Sequence, residues 1–258
     1  MAEQSRPGPF LIGGFVKTES EAGFNKDDEK LSKLAPQLFL ESEYRISENI
    51  KAKISAKASY DLSYKIEAKD RHNGFSQDDE RSEIALEDAF LDVKLSEMIS
   101  FRAGRQIIAW GQSDYARITD IINPRDMTSP GLIDLEDARL PVTSFRMTAQ
   151  KNHWIFEGVT IHEHPGSDIS GKGGDFDYYK SMRSDMIQIF DKENPEGFKH
   201  VGAAFKATRR FNGGDISFVA GSNFDDLPYL RYDGLGSGIM TFTPEYDRVH
   251  TLGISAGI

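Results

Sequence analysis

Cysteine is absent from this chain of 258 residues. That absence excludes disulfide frameworks, thiolate metal sites and cysteine nucleophiles together. Long apolar runs are absent too, although hydrophobic residues make up 38% of the chain. A membrane-spanning helix needs about 20 consecutive apolar residues, so the sequence offers no candidate for one.

Positive charge is also in short supply, because 31 lysines and arginines stand against 41 aspartates and glutamates. The formal net charge of −10 argues against a nucleic-acid partner, since phosphate binding needs clustered positive charge. The opening residues, MAEQS, do not form a charged-then-apolar leader. We therefore expect either a cytoplasmic protein or one whose signal peptide has been removed.

A long two-faced strand is predicted over residues 50–69. Every even position in this stretch is uncharged and every odd position is polar. Successive side chains of a strand point to opposite faces, so one face is apolar and the other is polar. A tilted strand crosses a bilayer in about 9–11 residues. The greater length here indicates a membrane barrel whose wall continues beyond the lipid.

Alternation elsewhere predicts ten strands in all, joined by connections that are long and short in turn. Membrane barrels have short periplasmic turns and longer extracellular loops. We therefore predict one domain over residues 1–258, with an all-β fold: an antiparallel transmembrane β-barrel of about ten strands. The predicted strands are 10–17, 38–46, 50–69, 85–95, 101–110, 142–150, 154–162, 199–211, 216–224 and 248–258. The predicted long connections are 18–36, 70–83, 111–141, 163–198 and 225–247.

The tight connection at residues 47–49 predicts a specific register for the second and third strands. If Ile46 lies opposite Ile50, the residue numbers of each opposed pair sum to the same value. The pairs on the lipid face are then Tyr44–Ala52, Ser42–Ile54, Leu40–Ala56 and Leu38–Ala58, and those on the other face are Glu43–Lys53 and Arg45–Lys51. A slip of one residue would mix the two faces.

A row of lysines on the polar face of the long strand would line the lumen, where it could attract anions. The row consists of Lys51, Lys53, Lys57 and Lys65, with Lys69 at its end. The competing expectation, which we favour, is neutralisation by acids of the same parity on adjacent strands. Those acids are Glu41, Glu43, Asp88 and Asp92.

Four short motifs lie between residues 104 and 142: Gly104-Arg105-Gln106, Trp110-Gly111, Asn123-Pro124-Arg125-Asp126 and Arg139-Leu140-Pro141-Val142. Their spacing resembles a poorly characterised family of bacterial outer-membrane β-barrel proteins, often described as a domain of unknown function. The resemblance implies a channel or transport barrel for hydrophobic or lipid-like compounds, without catalytic residues. It also implies an outer-membrane lipoprotein-sorting partner and RND-type exporters as neighbours.

Members of that family are longer, and outer-membrane barrels commonly finish on an aromatic residue. This chain finishes on Ile258, within an alternating strand. We therefore expect it to form the first ten strands of a larger barrel, although ten strands are also an even number that permits closure.

The motif residues suggest a clamp on the long connection. We expect Arg105 and Gln106 to hold residues 111–141 from inside the wall as a lumen plug. The expected partners are Asp114, Asp120 and Asp126, because a charge inside a closed lumen seeks a counter-ion. Arg139 belongs to the same set of candidates. Trp110, at a predicted strand end, fits the aromatic girdle at the lipid boundary.

Other patterns carry less weight. Residues 166–173 nearly match a P-loop but end in Gly173, where magnesium binding needs serine or threonine. His162 and His164 form a pair without an identifiable third ligand. We expect no metal and no cofactor, leaving open calcium binding by loop acids at residues 78–80 or 225–226.

The sequence thus predicts a Gram-negative outer-membrane channel or transport protein that passes solutes or lipophilic compounds without catalysis. Its expected partners are outer-membrane lipids and RND-type transport components, and not nucleic acid. Two alternatives remain open: a soluble or surface β-sheet protein that binds carbohydrate or lipid, and a ten-stranded outer-membrane hydrolase.

Overall fold

A computed structural model describes residues 9–25, 28–63, 82–111, 119–129, 138–170, 178–182, 184–190 and 200–257. Its main feature is one antiparallel sheet of ten strands, which confirms the predicted all-β class and strand number. The strands of this sheet are β1 (Phe10–Asn25), β2 (Asp28–Ser47), β3 (Ile50–Tyr60), β4 (Ser82–Lys94), β5 (Ile99–Gln106), β7 (Val142–Lys151), β8 (Trp154–Ile161), β11 (Gly202–Phe211), β12 (Gly214–Phe224) and β15 (Arg248–Gly257).

Five shorter strands and one 3-10 turn lie in the connections. They are β6 (Asp126–Met127), β9 (Asp168–Ile169), β10 (Ile187–Ile189), β13 (Tyr229–Gly236), β14 (Ile239–Glu245) and the turn Lys180–Met182. Within the described residues, no helix has the length and apolar character needed to cross a membrane.

Each strand of the large sheet pairs with the next one along the chain, and β1 and β15 form its two edges. The predicted register of β2 and β3 is confirmed, with Tyr44 opposite Ala52 and Glu43 opposite Lys53. Only the pair nearest the turn differs. An irregularity after Arg45 places Ser47 opposite Ile50.

The predicted strand over residues 50–69 is too long, because β3 ends at Tyr60. Asp61 turns the chain there: its carboxylate accepts hydrogen bonds from the backbone N–H of Leu34 at 3.0 Å and of Ser63 at 2.9 Å. Aspartate favours turns through bonds of this kind. Residues 64–69, including Lys65, lie outside the described residues.

The prediction of a long connection over residues 18–36 is also wrong. Both β1 and β2 run through this stretch, with only residues 26–27 between them. Its charged residues pair on the sheet instead of entering a loop, because Lys33 Nζ lies 2.9 Å from a Glu19 oxygen and Lys17 Nζ lies 3.1 Å from another.

The other connections lie at two opposite ends of the sheet. Residues 48–49, 95–98, 152–153 and 212–213 connect strands at one end, which we call the turn end. Residues 61–81, 107–141, 162–201 and 225–247 connect strands at the other, the loop end. The connection over 225–247, predicted to be long, contains the β13–β14 hairpin, and β10 pairs parallel to β14. The tight turn between β13 and β14 has positive φ at Ser237 (54°) and Gly238 (82°).

The core lies between the sheet and the segments that fold over it from the loop end. Trp110 is 2% exposed and Ile108 and Ile122 are 1% exposed, and all three pack on side chains of β7, β8, β11 and β12. The placement of Trp110 in an aromatic girdle is therefore wrong. The segment that carries it turns inward after Gln106 and buries the indole ring. The cluster consists of Ile108, Trp110, Ile122, Val142, Val159, Ile161, Ala204 and Val219.

Candidate functional site

The sheet exposes a broad band of large apolar side chains on one face, which we call the apolar face. Leu252 is 87% exposed and Ile12 is 72% exposed, although both lie within paired strands. Folded monomers in water rarely leave contiguous apolar patches larger than a few hundred Å². Other exposed members of this face are Phe10, Val16, Leu38, Leu40, Tyr44, Ile46, Ile54, Ile84, Leu86, Leu91, Phe145, Met147, Phe156, Phe205, Phe218 and Ile254.

Aromatic side chains form a ladder on this face towards the turn end. The rings of Trp154 and Phe156 are 5.8 Å apart, and those of Phe156 and Phe205 are 6.3 Å apart. The Arg209 guanidinium lies over the Trp154 ring at 5.7 Å, an attraction between a cation and a π face. Trp154, and not Trp110, is therefore the tryptophan that lies on the apolar face.

The opposite face of the sheet, which we call the polar face, carries paired charges. Lys53 lies 3.2 Å from Glu41 and 3.0 Å from Asp88, and Lys51 lies 3.5 Å from Glu43. The favoured expectation of a neutralised lysine row is therefore correct for these residues. Asp92 pairs instead with Arg102, at 2.6 Å, and Lys57 pairs with Glu83 (3.3 Å) and Glu87 (3.8 Å).

Further polar groups are buried on the polar face beneath the incoming connections. Gln106 is fully buried, and its amide donates to the Ser144 carbonyl at 3.2 Å. Arg146 forms an ion pair with Glu157, which is 8% exposed. Lys206 donates to the Trp110 carbonyl at 3.1 Å. The sheet thus buries these polar groups beside the apolar core around Trp110, and it leaves the large apolar side chains of its other face exposed, which is unusual for a protein folded in water.

Parts of two connections cover the polar face and bind one another. We call them the loop layer: residues 119–129 and 138–141 come from the connection between β5 and β7, and residues 164–170 come from the connection between β8 and β11. The Asp168 N–H donates to the Arg125 carbonyl at 3.0 Å, and the Ser167 N–H donates to the Asp226 carbonyl at 2.8 Å. Strands β6 and β9 pair here. The connections therefore form one layer over the sheet, and not separate loops.

Asp120 and Asn123 hold this layer together. Asp120, 2% exposed, lies 2.9 Å from Arg139 and 3.6 Å from Arg125. The Asn123 side chain accepts from the Ile108 N–H at 2.7 Å and donates to the Leu140 carbonyl at 2.7 Å and the Gln106 carbonyl at 3.3 Å. Sequence reasoning selected Asp120 and Arg139 but did not identify Asn123 as the residue that bridges β5 and β7.

Arg105 does not take part in this clamp, contrary to prediction. It lies on the face opposite to Gln106, as strand parity requires, and forms an ion pair with Glu163. Its Nε donates to the Leu86 carbonyl at 2.7 Å. Asp126 accepts from Thr128 at 2.6 Å. Asp114 lies outside the described residues.

Tyr246 packs against the loop layer from the last long connection. Its ring lies 5.3 Å from that of His164, edge to face, and its hydroxyl lies against Gly166. Burial is the main cause that raises the pKa of the Tyr246 phenol to about 12, and nearby Tyr179, Asp168 and Asp226 act in the same direction. Among the described residues, no group of histidine and acidic side chains is arranged to hold a metal ion.

Three comparisons bear on this architecture. A family model described as "Protein of unknown function (DUF1302)" matches residues 19–158, more than half of the chain. No curated protein matches the sequence. A solved structure described as "Salmonella typhi OmpF complex with Daunomycin" shares 13% identity with a TM-score of 0.42, covering 96% of this chain. The chain spans 59% of the length of that porin chain.

Proposed function

The chain belongs to the family described as "Protein of unknown function (DUF1302)", and we propose that it forms the wall of an outer-membrane β-barrel in a Gram-negative bacterium. In this proposal the barrel passes solutes or lipophilic compounds without catalysing a reaction. The short turns face the periplasm and the loop end faces the exterior, as in other membrane barrels.

The apolar face is the observation that carries the proposal. Exposure of Leu252, Ile12 and Ile84 at 72% or more would be costly in water, because each large apolar side chain left exposed forfeits about 1.5–3 kcal/mol. Lipid tails remove that cost. In a membrane barrel, each strand packs one face against lipid and carries polar groups on the other face.

The height of the apolar face fits this environment. On β7 it extends from Thr143, beside the Arg105–Glu163 pair, to Lys151 at the turn end. That stretch is roughly 27 Å long at about 3.4 Å per residue. A tilt of about 35–45° reduces its height to roughly 20 Å, close to the apolar band of about 25 Å in such barrels.

The edges and the loop layer complete the proposal. Because the ten strands alternate in direction, the edge strands β1 and β15 are antiparallel. Pairing of β1 with β15, directly or through further strands, would therefore close the wall. Within a closed wall the loop layer would act as a plug over the polar lumen. RND-type transport components in the periplasm are the partners that we propose for the turn end.

Two measurements test the proposal. We expect the full chain to require detergent for a monodisperse state, and we expect purified protein to produce discrete conductance steps in a planar lipid bilayer. A protein that is monodisperse in plain buffer would instead be a water-soluble sheet protein. Detergent dependence without conductance would indicate a plugged barrel and would overturn passive solute passage.

A further inference from the structure

We propose that the wall contains a lateral notch at the loop end, beside the edge of β4 that extends beyond β5, and that it binds anionic amphiphiles, with Arg105 as the headgroup ligand. The inference deepens the proposed function, on which it rests, by naming a substrate class and an entry point. The notch comprises Ile84, Leu86, Arg105, Thr143 and Glu163.

Unequal strand heights create the notch. β4 pairs with β3 as far as Ser82 opposite Tyr60, but its last pair with β5 is Ala89 with Arg105. β5 ends one residue later at Gln106, opposite Val142 at the start of β7. Residues 82–88 of β4 therefore have no strand partner on their β5 side among the described residues.

The exposed edge of β4 is both apolar and partly capped. Ile84 is 88% exposed and Leu86 is 43% exposed, and both lie on the apolar face. The Leu86 carbonyl, beyond the last β4–β5 pair, accepts a hydrogen bond from Arg105 Nε. A side chain thus serves a backbone group that a neighbouring strand would otherwise serve, and among the described residues no strand pairs with this edge of β4.

Arg105 is suited to bind an anion at the base of this space. It lies on the apolar face, and its guanidinium remains partly exposed, at 27% of its side-chain area. Its partner Glu163 lies in the connection that follows β8. The Glu163 carboxylate also accepts hydrogen bonds from the N–H and the hydroxyl of Thr143. Because a ligand carboxylate or phosphate offers the same charge and geometry, it can replace Glu163 at Arg105.

The polar face behind the notch offers a path for the headgroup. Lys57 lies there, paired with Glu83 and Glu87, on the side of β3 and β4 that faces the proposed lumen. An amphiphile with its tail on Ile84 and Leu86 would lie on the apolar face and place its head at the Arg105 guanidinium. We therefore expect an acidic headgroup to be required, and not only an apolar tail.

Photolabelling of the full chain in detergent micelles tests the site. The probe is dodecanoate with a diazirine at the tail, and the labelled peptides are mapped by mass spectrometry. We expect labels on residues 82–88, and Arg105→Ala should reduce them about tenfold, as for the loss of one charge-assisted hydrogen bond. Arg105→Lys should restore part of the labelling, and Glu163→Gln should increase it.

Matched controls make the result decisive. Arg102→Ala removes an ion-paired arginine from the same strand but the opposite face, and we expect it to leave labelling unchanged. A dodecanol probe with the same diazirine should label residues 82–88 weakly. Equal labelling by both probes, or labelling that survives Arg105→Ala, would overturn the inference. Failure of the proposed function is recognised separately, as solubility without detergent.

Discussion

At the scale of single residues, Asn123 takes the place of a strand. The Gln106 carbonyl and the Ile108 N–H flank one residue, and an adjacent strand would normally bond that pair. Here the Asn123 side-chain amide bonds both groups and also reaches the Leu140 carbonyl. The amide thus satisfies the backbone at the point where β5 and β7 separate, and it fixes the loop layer to the sheet.

We expect Asn123→Ala to destabilise the protein by about 3 kcal/mol, because it leaves a buried N–H and two carbonyls without their partner. The measurement is guanidinium unfolding in detergent micelles, followed by the fluorescence of Trp110 and Trp154. Asn49→Ala, at an exposed turn, is the matched control and should change stability by less than about 0.5 kcal/mol. Equal midpoints for the two variants would show that the Asn123 amide does not hold the loop layer.

We expect the buried phenol of Tyr246 to make the protein less stable at alkaline pH. Its folded pKa of about 12 exceeds the ordinary value of 10.0, so folding favours the neutral phenol. Below pH 10 the phenol is neutral in both states and does not change the free energy of unfolding. Between pH 10 and 12 the phenol ionises more readily in the unfolded state, so the free energy of unfolding falls by roughly 2 kcal/mol.

We expect Tyr246→Phe to lose less stability than the parent protein between pH 10 and 12. Unfolding midpoints measured across that range test this, with Tyr232→Phe as control because Tyr232 is 54% exposed. Identical pH profiles for the parent protein and Tyr246→Phe would contradict a buried neutral phenol.

At the scale of elements, adjacent positions on one strand meet different environments. Met147 lies on the apolar face opposite Phe101 and Gly158, whereas Thr148 lies on the polar face opposite Ser100 and Glu157. Strand periodicity alone separates them. The environment of the apolar face can therefore be measured with one substitution placed on either side of the same strand.

We predict that Met147→Arg destabilises the protein in a lipid bilayer by about 2–4 kcal/mol, the cost of an arginine facing the middle of the membrane. Thr148→Arg should change stability by less than about 1 kcal/mol, because the new cation faces Glu157 and water. Unfolding from phosphatidylcholine vesicles by guanidinium measures both. Equal effects would place the apolar face in water and contradict a lipid-facing wall.

At the scale of the whole molecule, the charge is distributed by sheet face. The net charge of −10 indicates repulsion among acids, yet acids of β2 and β4 are paired with lysines of β3 across the sheet. The loop layer adds a buried charge cluster around Asp120. Pairing within the protein therefore allows the polar face to hold many charges next to the apolar core formed by Trp110 and its neighbours.

The sequence predicted the strands better than the connections. The residue pattern around Tyr44 and Ala52 predicted the register, because a tight turn and a two-residue period are local properties. It failed at residues 18–36, where cross-strand ion pairs such as Lys33 with Glu19 keep a polar stretch in the sheet. Arg105 could have been placed correctly from parity with Gln106, but nothing nearby in the chain indicates Glu163 as its partner.

The sequence by itself determined the all-β class, the ten strands of the sheet, and which side chains share a face, because alternation is a property of neighbouring residues. Only the tertiary structure decided that β3 ends at Tyr60, just before Asp61, that Trp110 is buried, and that Asn123 links the end of β5 to the residues before β7. Each of these depends on a contact with a distant part of the chain, such as Leu34 for Asp61. Such contacts form only when the sheet has brought those segments together.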